Sequence, residues 1–197
     1  MENRKPNPAP PDAVILAGGT ARRMGGGDKC LLPLGQQRVI DHILRRLRPQ
    51  VARVAVSAND EPSRFDFYGL PVLADDVPGD GPLGGVVSAM AWADGRHVLT
   101  VPGDCPFLPV DLVEKLAQHD FALAASPSGL HPTIGLWPTA LVDEARNALR
   151  QGQRRLRAFA ISHGAKIVDF PDDDAFFNVN TPEDLARAER LVSQMSQ

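Results

Sequence analysis

Short apolar runs separated by helical stripes recur from Asp12 almost to the end of the chain, and this alternation limits what the chain can fold into. Val14-Ile15-Leu16, Val51–Ser57 (with Val54 and Val56 alternating), Val72-Leu73-Ala74 and Val98-Leu99-Thr100-Val101 each have the length and character of a strand. Ala122–Ala125, Pro132–Trp137 and Ile167-Val168 add three more. Between them apolar residues fall at helical spacing: Val39, Ile40, Ile43, Leu44 and Leu47, then Leu83, Val86, Val87, Met90 and Ala91. Further helices are expected over 110–116, 140–149 and 154–161. A last one opens at Thr181-Pro182-Glu183-Asp184, with Thr as cap, Pro at the first position and acids in the first turn. Strands alternating with helices predict an α/β fold of three layers, α/β/α, with a mainly parallel sheet. Ligands of such sheets bind beyond the carboxyl ends of the strands. The loops after Leu16, Ser57, Ala74 and Val101 should therefore converge on one crevice.

The first of these loops is the most informative. Val14-Ile15-Leu16 runs into Ala17-Gly18-Gly19, then Arg22, Arg23, Gly25, Gly26, Gly27, Asp28 and Lys29. A strand feeding a glycine-rich basic loop suits phosphate binding. Glycine lets backbone N–H groups approach an anion, Arg adds a fork of donors, and Lys adds a point charge. Neither common phosphate pattern is met. Cys30, not Ser or Thr, follows Lys29, so the Walker A hydroxyl is missing. The dinucleotide pattern Gly-x-Gly-x-x-Gly is absent after Leu16.

Two aspartates stand directly after predicted strands. Asp104, in Pro102-Gly103-Asp104-Cys105-Pro106, would lie at the carboxyl edge, where a carboxylate is a natural Mg²⁺ ligand; a turn aspartate capping the loop is the plainer reading. Asp75 follows the third strand in the same way, with a solvated acid as its plainer reading. Ser57 and Asn59 end the second strand and are candidates to contact a base or ribose. His42, His97, His119 and His163 are isolated and show neither metal spacing nor a triad. Cys30 and Cys105 read as small packed residues.

Leu16-Ala17-Gly18-Gly19, Ala21-Arg22-Arg23-Met24-Gly25-Gly26 and Asp28-Lys29 together resemble the nucleotidyltransferases, and among them the molybdenum cofactor guanylyltransferase family. Later motifs extend the resemblance from Asp12 to about Leu191. It implies a Rossmann-like nucleotidyltransferase fold. It also implies transfer of GMP from GTP to the terminal phosphate of molybdopterin or molybdenum-molybdopterin, with release of pyrophosphate and with Mg²⁺ as cofactor. On this resemblance Lys29, Arg23 and Asp104 are catalytic and Asp104 holds the metal. Leu16, Ala17, Gly18, Lys29, Asp75 and Asp104 bind the nucleotide; Asn59, Arg155, Asn178 and Asn180 bind substrate. Arg154 and the segment His131-Pro132-Thr133 also face the pterin, although a solvated basic helix face accounts equally well for the arginine pair. The family pattern has asparagine where Ser57 stands, which leaves part of guanine recognition open or passes it to Asn59. Upstream cofactor-synthesis proteins and acceptor molybdoenzymes are the expected protein partners.

Composition fits a small anionic ligand better than nucleic acid. The formal net charge is −3 over 197 residues, so no bulk basic face is expected. Two cysteines without a disulfide framework suggest a reducing cytosol. Met1–Pro11 is polar and proline-rich and is expected to be a disordered tail, leaving 12–197 as one domain. Three other activities stay open: a CTP-using enzyme acting on molybdopterin or on a sugar or polyol phosphate, a non-catalytic nucleotide or cofactor carrier, and a dinucleotide-dependent oxidoreductase. Intact Lys29 and Asp104 argue against the second, and the missing fingerprint argues against the third.

Overall fold

A computed structural model describes residues 9–18, 28–59, 61–75 and 81–195. Its centre is a seven-stranded sheet. In chain order the strands are β1 (Asp12–Leu16), β4 (Val54–Ser57), β5 (Val72–Leu73), β6 (His97–Pro102), β7 (Ala122–Ser126), β8 (Gly129–Pro138) and β9 (Lys166–Asp169). They lie side by side in the order β5-β4-β1-β6-β8-β7-β9. All pairings are parallel except those of β8, which runs antiparallel to both β6 and β7. A two-stranded ribbon of β2 (Pro33–Leu34) and β3 (Gln37–Arg38) stands apart from the sheet.

The central strands are buried on both faces, and their alternation sorts the side chains into two cores. Ala13, Ile15, Val54, Val56, Leu99 and Val101 face one side. There they meet α1 (Val39–Leu47), α3 (Leu112–Leu116) and α6 (Pro182–Met195). Val14, Ala55, Val98, Leu123 and Trp137 face the other. There they meet α2 (Pro82–Trp92), α4 (Val142–Arg150) and α5 (Leu156–Ser162). The three layers and mainly parallel sheet follow the sequence expectation. One polar pair sits fully inside: Thr100 Oγ1 donates to the Thr133 carbonyl at 2.9 Å and accepts from Trp137 Nε1 at 2.8 Å.

The structure differs from the sequence reading in detail. The strand expected over 132–137 begins earlier, at Gly129, because Ser126–Gly129 turns β7 straight back into a hairpin. Gly129 has φ +129°, in the region that favours glycine. The helices expected from 110 and 154 start later, at Leu112 and Leu156. A 3₁₀ helix over Pro62–Tyr68, which has no periodic signal, buries Phe65.

The amino-terminal edge of the sheet is fastened by a buried carboxylate. Asp12 accepts a two-pronged contact from Arg53, Nε to Oδ1 at 2.9 Å and Nη2 to Oδ2 at 2.6 Å. The Asp94 backbone N–H adds a bond at 3.1 Å. The Arg53 bonds hold the Asp12 carboxyl below its ordinary range, against the opposing effect of burial. Asp12→Ala is expected to cost about 1.5–3 kcal/mol, the range for hydrogen bonds to a charged group. Because the folded-state pKa is depressed, this contribution is complete above the unfolded value of about 3.9 and disappears as pH falls through the lower folded value. Thermal melts should show a constant gap between wild type and D12A from neutral pH down to the unfolded value, closing below it.

Candidate functional site

The carboxyl ends of β1, β4, β5 and β6 meet at a crevice of about 500 Å³. Backbone bonds stitch these ends together. Ala17 N–H donates to the Ser57 carbonyl at 2.8 Å, Gly103 N–H to the Leu16 carbonyl at 2.9 Å, and Ala58 N–H to the Leu73 carbonyl at 2.9 Å. Two glycines permit the close fit. A Cβ on Gly103 would stand 3.2 Å from the Leu16 carbonyl oxygen and 3.2 Å from Cys30 Cβ. One on Gly85 would stand 2.9 Å from Leu16 Cδ2 and 3.0 Å from Ser57 Oγ. With Gly85 in place, the first turn of α2 lies against the sheet edge, and Gly81 and Pro82 line the crevice at its positive, amide-bearing end.

Lys29 and Asp104 form the charged centre. Lys29 opens a 3₁₀ turn whose next residue, Cys30, is buried. Asp28, just before it, forms an ion pair with Arg64 that ties this turn to the 62–68 helix. Lys29 Nζ lies 3.3 Å from Asp104 Oδ2 and also contacts Asn180 Oδ1. Both charged side chains are only about one fifth exposed, 21% and 18%. Burial raises the Asp104 carboxyl above its ordinary value, and Lys29 counters only part of that. The carboxylate is thus held at a cost, which fits a group placed to meet a cation.

The predicted residues divide between those that line the crevice and those that do not. Leu16, Ala17, Gly18, Lys29, Asn59, Asp75, Asp104 and Asn178 line it together. Asn180 reaches it through Lys29. Asn59 directs both ends of its amide to Asp75: Nδ2 donates to Asp75 Oδ2 at 2.9 Å, and Oδ1 accepts the Asp75 N–H at 2.8 Å. Asn59 therefore holds the Asp75 carboxylate in place. Arg155 is exposed at the start of α5 and does not line the crevice. Arg154 donates to the Leu149 carbonyl at 2.7 Å, closing the end of α4. Arg23 lies outside the described residues. Thr133, from the segment His131-Pro132-Thr133, lines the crevice, and His131 takes part in a separate cluster at the β7–β8 turn. Two members of that cluster, Ser126 and Asp173, carried no sequence signal; Asp173 sits within a run of three acids that reads as solvated charge.

Among the described residues the lining lacks the groups that several chemistries require. Among the described residues it contains no histidine, and its carboxylates are Asp75 and Asp104. Burial pushes the Cys30 thiol up to about 12 and the Cys105 thiol higher still, so neither is a thiolate at neutral pH. Among the described residues no group of three or more His, Cys, Asp or Glu forms a metal cage. Asp104 alone suits a hard dication of the Mg²⁺ kind, which binds through one or two carboxylates and completes its shell with water and substrate phosphates. Among the described residues no helix is long and apolar enough to cross a membrane.

Comparison with known proteins agrees with this geometry. Residues 13–167 match the MobA-like NTP transferase domain. A molybdenum cofactor guanylyltransferase of Mesorhizobium japonicum is 47% identical, over 93% of this chain and 96% of its own length. One from Cereibacter sphaeroides is 45% identical, over 91% and 95%. Among solved structures, molybdopterin-guanine dinucleotide biosynthesis protein A from Archaeoglobus fulgidus superposes with a TM-score of 0.73 at 22% identity, covering 93% of this chain and 100% of that one. A CMP:2-keto-3-deoxy-manno-octonic acid synthetase complexed with CTP has the same fold, with a TM-score of 0.75 at 16% identity over 93% and 98%. On this evidence the chain belongs to the molybdenum cofactor guanylyltransferase family, built on the MobA-like NTP transferase domain.

Proposed function

We propose that this protein transfers GMP from GTP to the terminal phosphate of molybdopterin or its molybdenum form, making the guanine dinucleotide and releasing pyrophosphate. The observation that carries the reading is the Lys29–Asp104 pair at the meeting of β1 and β6, in a crevice whose described lining offers no histidine. The acceptor explains why no general base is needed. A phosphate monoester has a second pKa of about 6 and is substantially dianionic at pH 7. Its oxygen attacks the α-phosphorus of GTP, the bond to the bridging oxygen breaks, and pyrophosphate leaves with the electron pair. What remains for the protein is alignment and charge neutralisation.

The residues divide that work. Leu16, Ala17, Gly18 and Asp75 hold the nucleoside end, with Asn59 fixing Asp75. Lys29 stands at the reacting phosphate, and Arg23 is assigned to the departing β- and γ-phosphates. Asn178 and Asn180 face the acceptor. Asp104 would hold Mg²⁺, which supplies Lewis-acid neutralisation of the phosphates when bound. Asp75 and Asp104 place negative charge beside a triphosphate, and Lys29, Arg23 and the dication offset it. Proteins that deliver molybdopterin and receive the finished cofactor are the partners this reaction calls for, with the cytoplasm as its compartment.

The test is pyrophosphate release from GTP, ATP, CTP and UTP in the presence of molybdopterin and Mg²⁺. Turnover confined to GTP is expected. Turnover confined to CTP would keep the mechanism and overturn the base assignment. GTP binding without turnover on any acceptor would replace the enzyme with a carrier.

A further inference from the structure

A second polar cluster lies at the same edge of the sheet, beside the crevice, and the proposed reaction does not use it. Ser126 ends β7 and is buried, with 8% of its surface exposed. Its Oγ lies 2.5 Å from Asp173 Oδ1, 2.8 Å from His131 Nε2 and 2.9 Å from Ser128 Oγ. Asp173 Oδ1 also accepts the Ser128 backbone N–H at 2.9 Å. The set contains serine, histidine and aspartate, but its connectivity rules out a nucleophilic triad. A carboxylate only accepts, so the single Ser126 proton goes to Asp173. Ser126 Oγ must then accept from His131, whose neutral ring carries its proton on Nε2. The histidine has no lone pair aimed at the hydroxyl and makes no bond to the aspartate. Burial holds His131 below its ordinary pKa, which keeps the ring neutral.

What the cluster does is hold a segment. After β9 the chain makes its last ladder-type bond at Phe170, whose N–H donates to the Ala125 carbonyl at 2.8 Å. It next reaches the sheet through Asp173. The His131 ring stacks on Phe176, with centroids 4.8 Å apart and planes 10° apart. Further on, Cys105 Sγ contacts the Ala175 carbonyl at 3.6 Å, and Val179 N–H donates to the Asp104 carbonyl at 2.8 Å. The segment so held carries Asn178, which lines the crevice, and Asn180, which contacts Lys29. Its carboxyl end is fixed by buried backbone; its amino end is held by Asp173 on the β7–β8 turn, with Asp174 ion-paired to Arg187 on α6 at 2.5 Å.

We propose that Asp173, gripped by Ser126 and Ser128, is a positioning residue for the acceptor half of the crevice. It fixes segment 173–180 so that Asn178 and Asn180 meet the phosphorylated acceptor beside Lys29 and Asp104. The assignment rests on the function proposed above for the identity of the acceptor, but not for the clamp itself.

Asp173→Ala and Asp173→Asn in the full chain test it in two ways. With GTP and molybdopterin, D173A should raise the acceptor KM on the order of tenfold, because small misplacements of a binding group are costly, and should leave the KM for GTP unchanged. D173N keeps an oxygen that can accept both bonds and should restore the acceptor KM. Amide hydrogen exchange, with no substrate present, should show residues 174–180 exchanging faster in D173A but not in D173N, with β1 unchanged. An unaltered acceptor KM, an equal rise for both substrates, or a D173N variant as impaired as D173A would overturn the proposal, as would unchanged exchange over 174–180. If wild type turns over no molybdopterin, the functional assignment fails and the exchange measurement alone decides the clamp.

Discussion

Replacing Asp104 with alanine or asparagine should lower pyrophosphate release on the order of 10²–10³-fold, the usual cost of losing one electrostatic stabiliser of a developing charge. Asparagine keeps the shape and removes the charge, so equal losses in the two variants would assign the effect to the carboxylate. The loss should persist at high Mg²⁺ concentration, since a neutral amide cannot replace the anionic ligand. GTP binding measured without metal should not weaken, because without the dication Asp104 only adds negative charge beside the triphosphate. The fold should not suffer. Burial raises the Asp104 carboxyl despite Lys29, so the native state holds this charge unfavourably. D104N should therefore melt no lower than wild type, as expected where a site is maintained at the expense of stability. Activity retained within about threefold, far short of that range, would remove Asp104 from the reacting centre.

Lys29→Met should be comparably damaging, on the order of 10²–10³-fold in kcat. Methionine approximates the length of the lysine stem and removes only the point charge. Lys29→Arg should recover little, because a planar fork cannot occupy the position of a compact ammonium between Asp104 and Asn180. The two residues touch, so their effects should not add. The double variant K29M/D104A should be little worse than either single one, as for groups that act as a unit. Full additivity would mean that the residues serve separate steps. Single-turnover kinetics at saturating GTP would separate this loss from any change in nucleotide affinity.

How much of this was legible in the sequence depended on range. Val14-Ile15-Leu16 and Val98–Val101 are short, apolar and closed by glycine or proline, so their strands and the loops beyond them could be read directly. Parallel strands then send Ala17, Asn59, Asp75 and Asp104 to one edge by topology alone. Contacts made by folding were not legible. Lys29 and Asn180 are 151 residues apart, and nothing local in either segment names the other. Asn59 could be recognised as a polar residue after a strand, but not as one whose whole amide is engaged by Asp75. Asp172-Asp173-Asp174 looks like solvated charge, because only the β7–β8 turn reveals that the middle carboxylate is held. The reversal of β8 has a local signal, Pro127-Ser128-Gly129, but the alternation of strands and helices does not by itself give one strand's direction. The arginine pair shows the opposite limit: the family resemblance pointed Arg154 and Arg155 toward the pterin, the residues alone allowed a solvated helix face equally well, and Arg154 caps a helix.

The most direct test of the central claim is to identify the product formed from GTP and molybdopterin by mass spectrometry, with pyrophosphate counted in the same reaction. One guanine dinucleotide, GMP joined to the pterin's terminal phosphate, should appear for each pyrophosphate released. Release of inorganic phosphate, or pyrophosphate without a dinucleotide, would contradict the account.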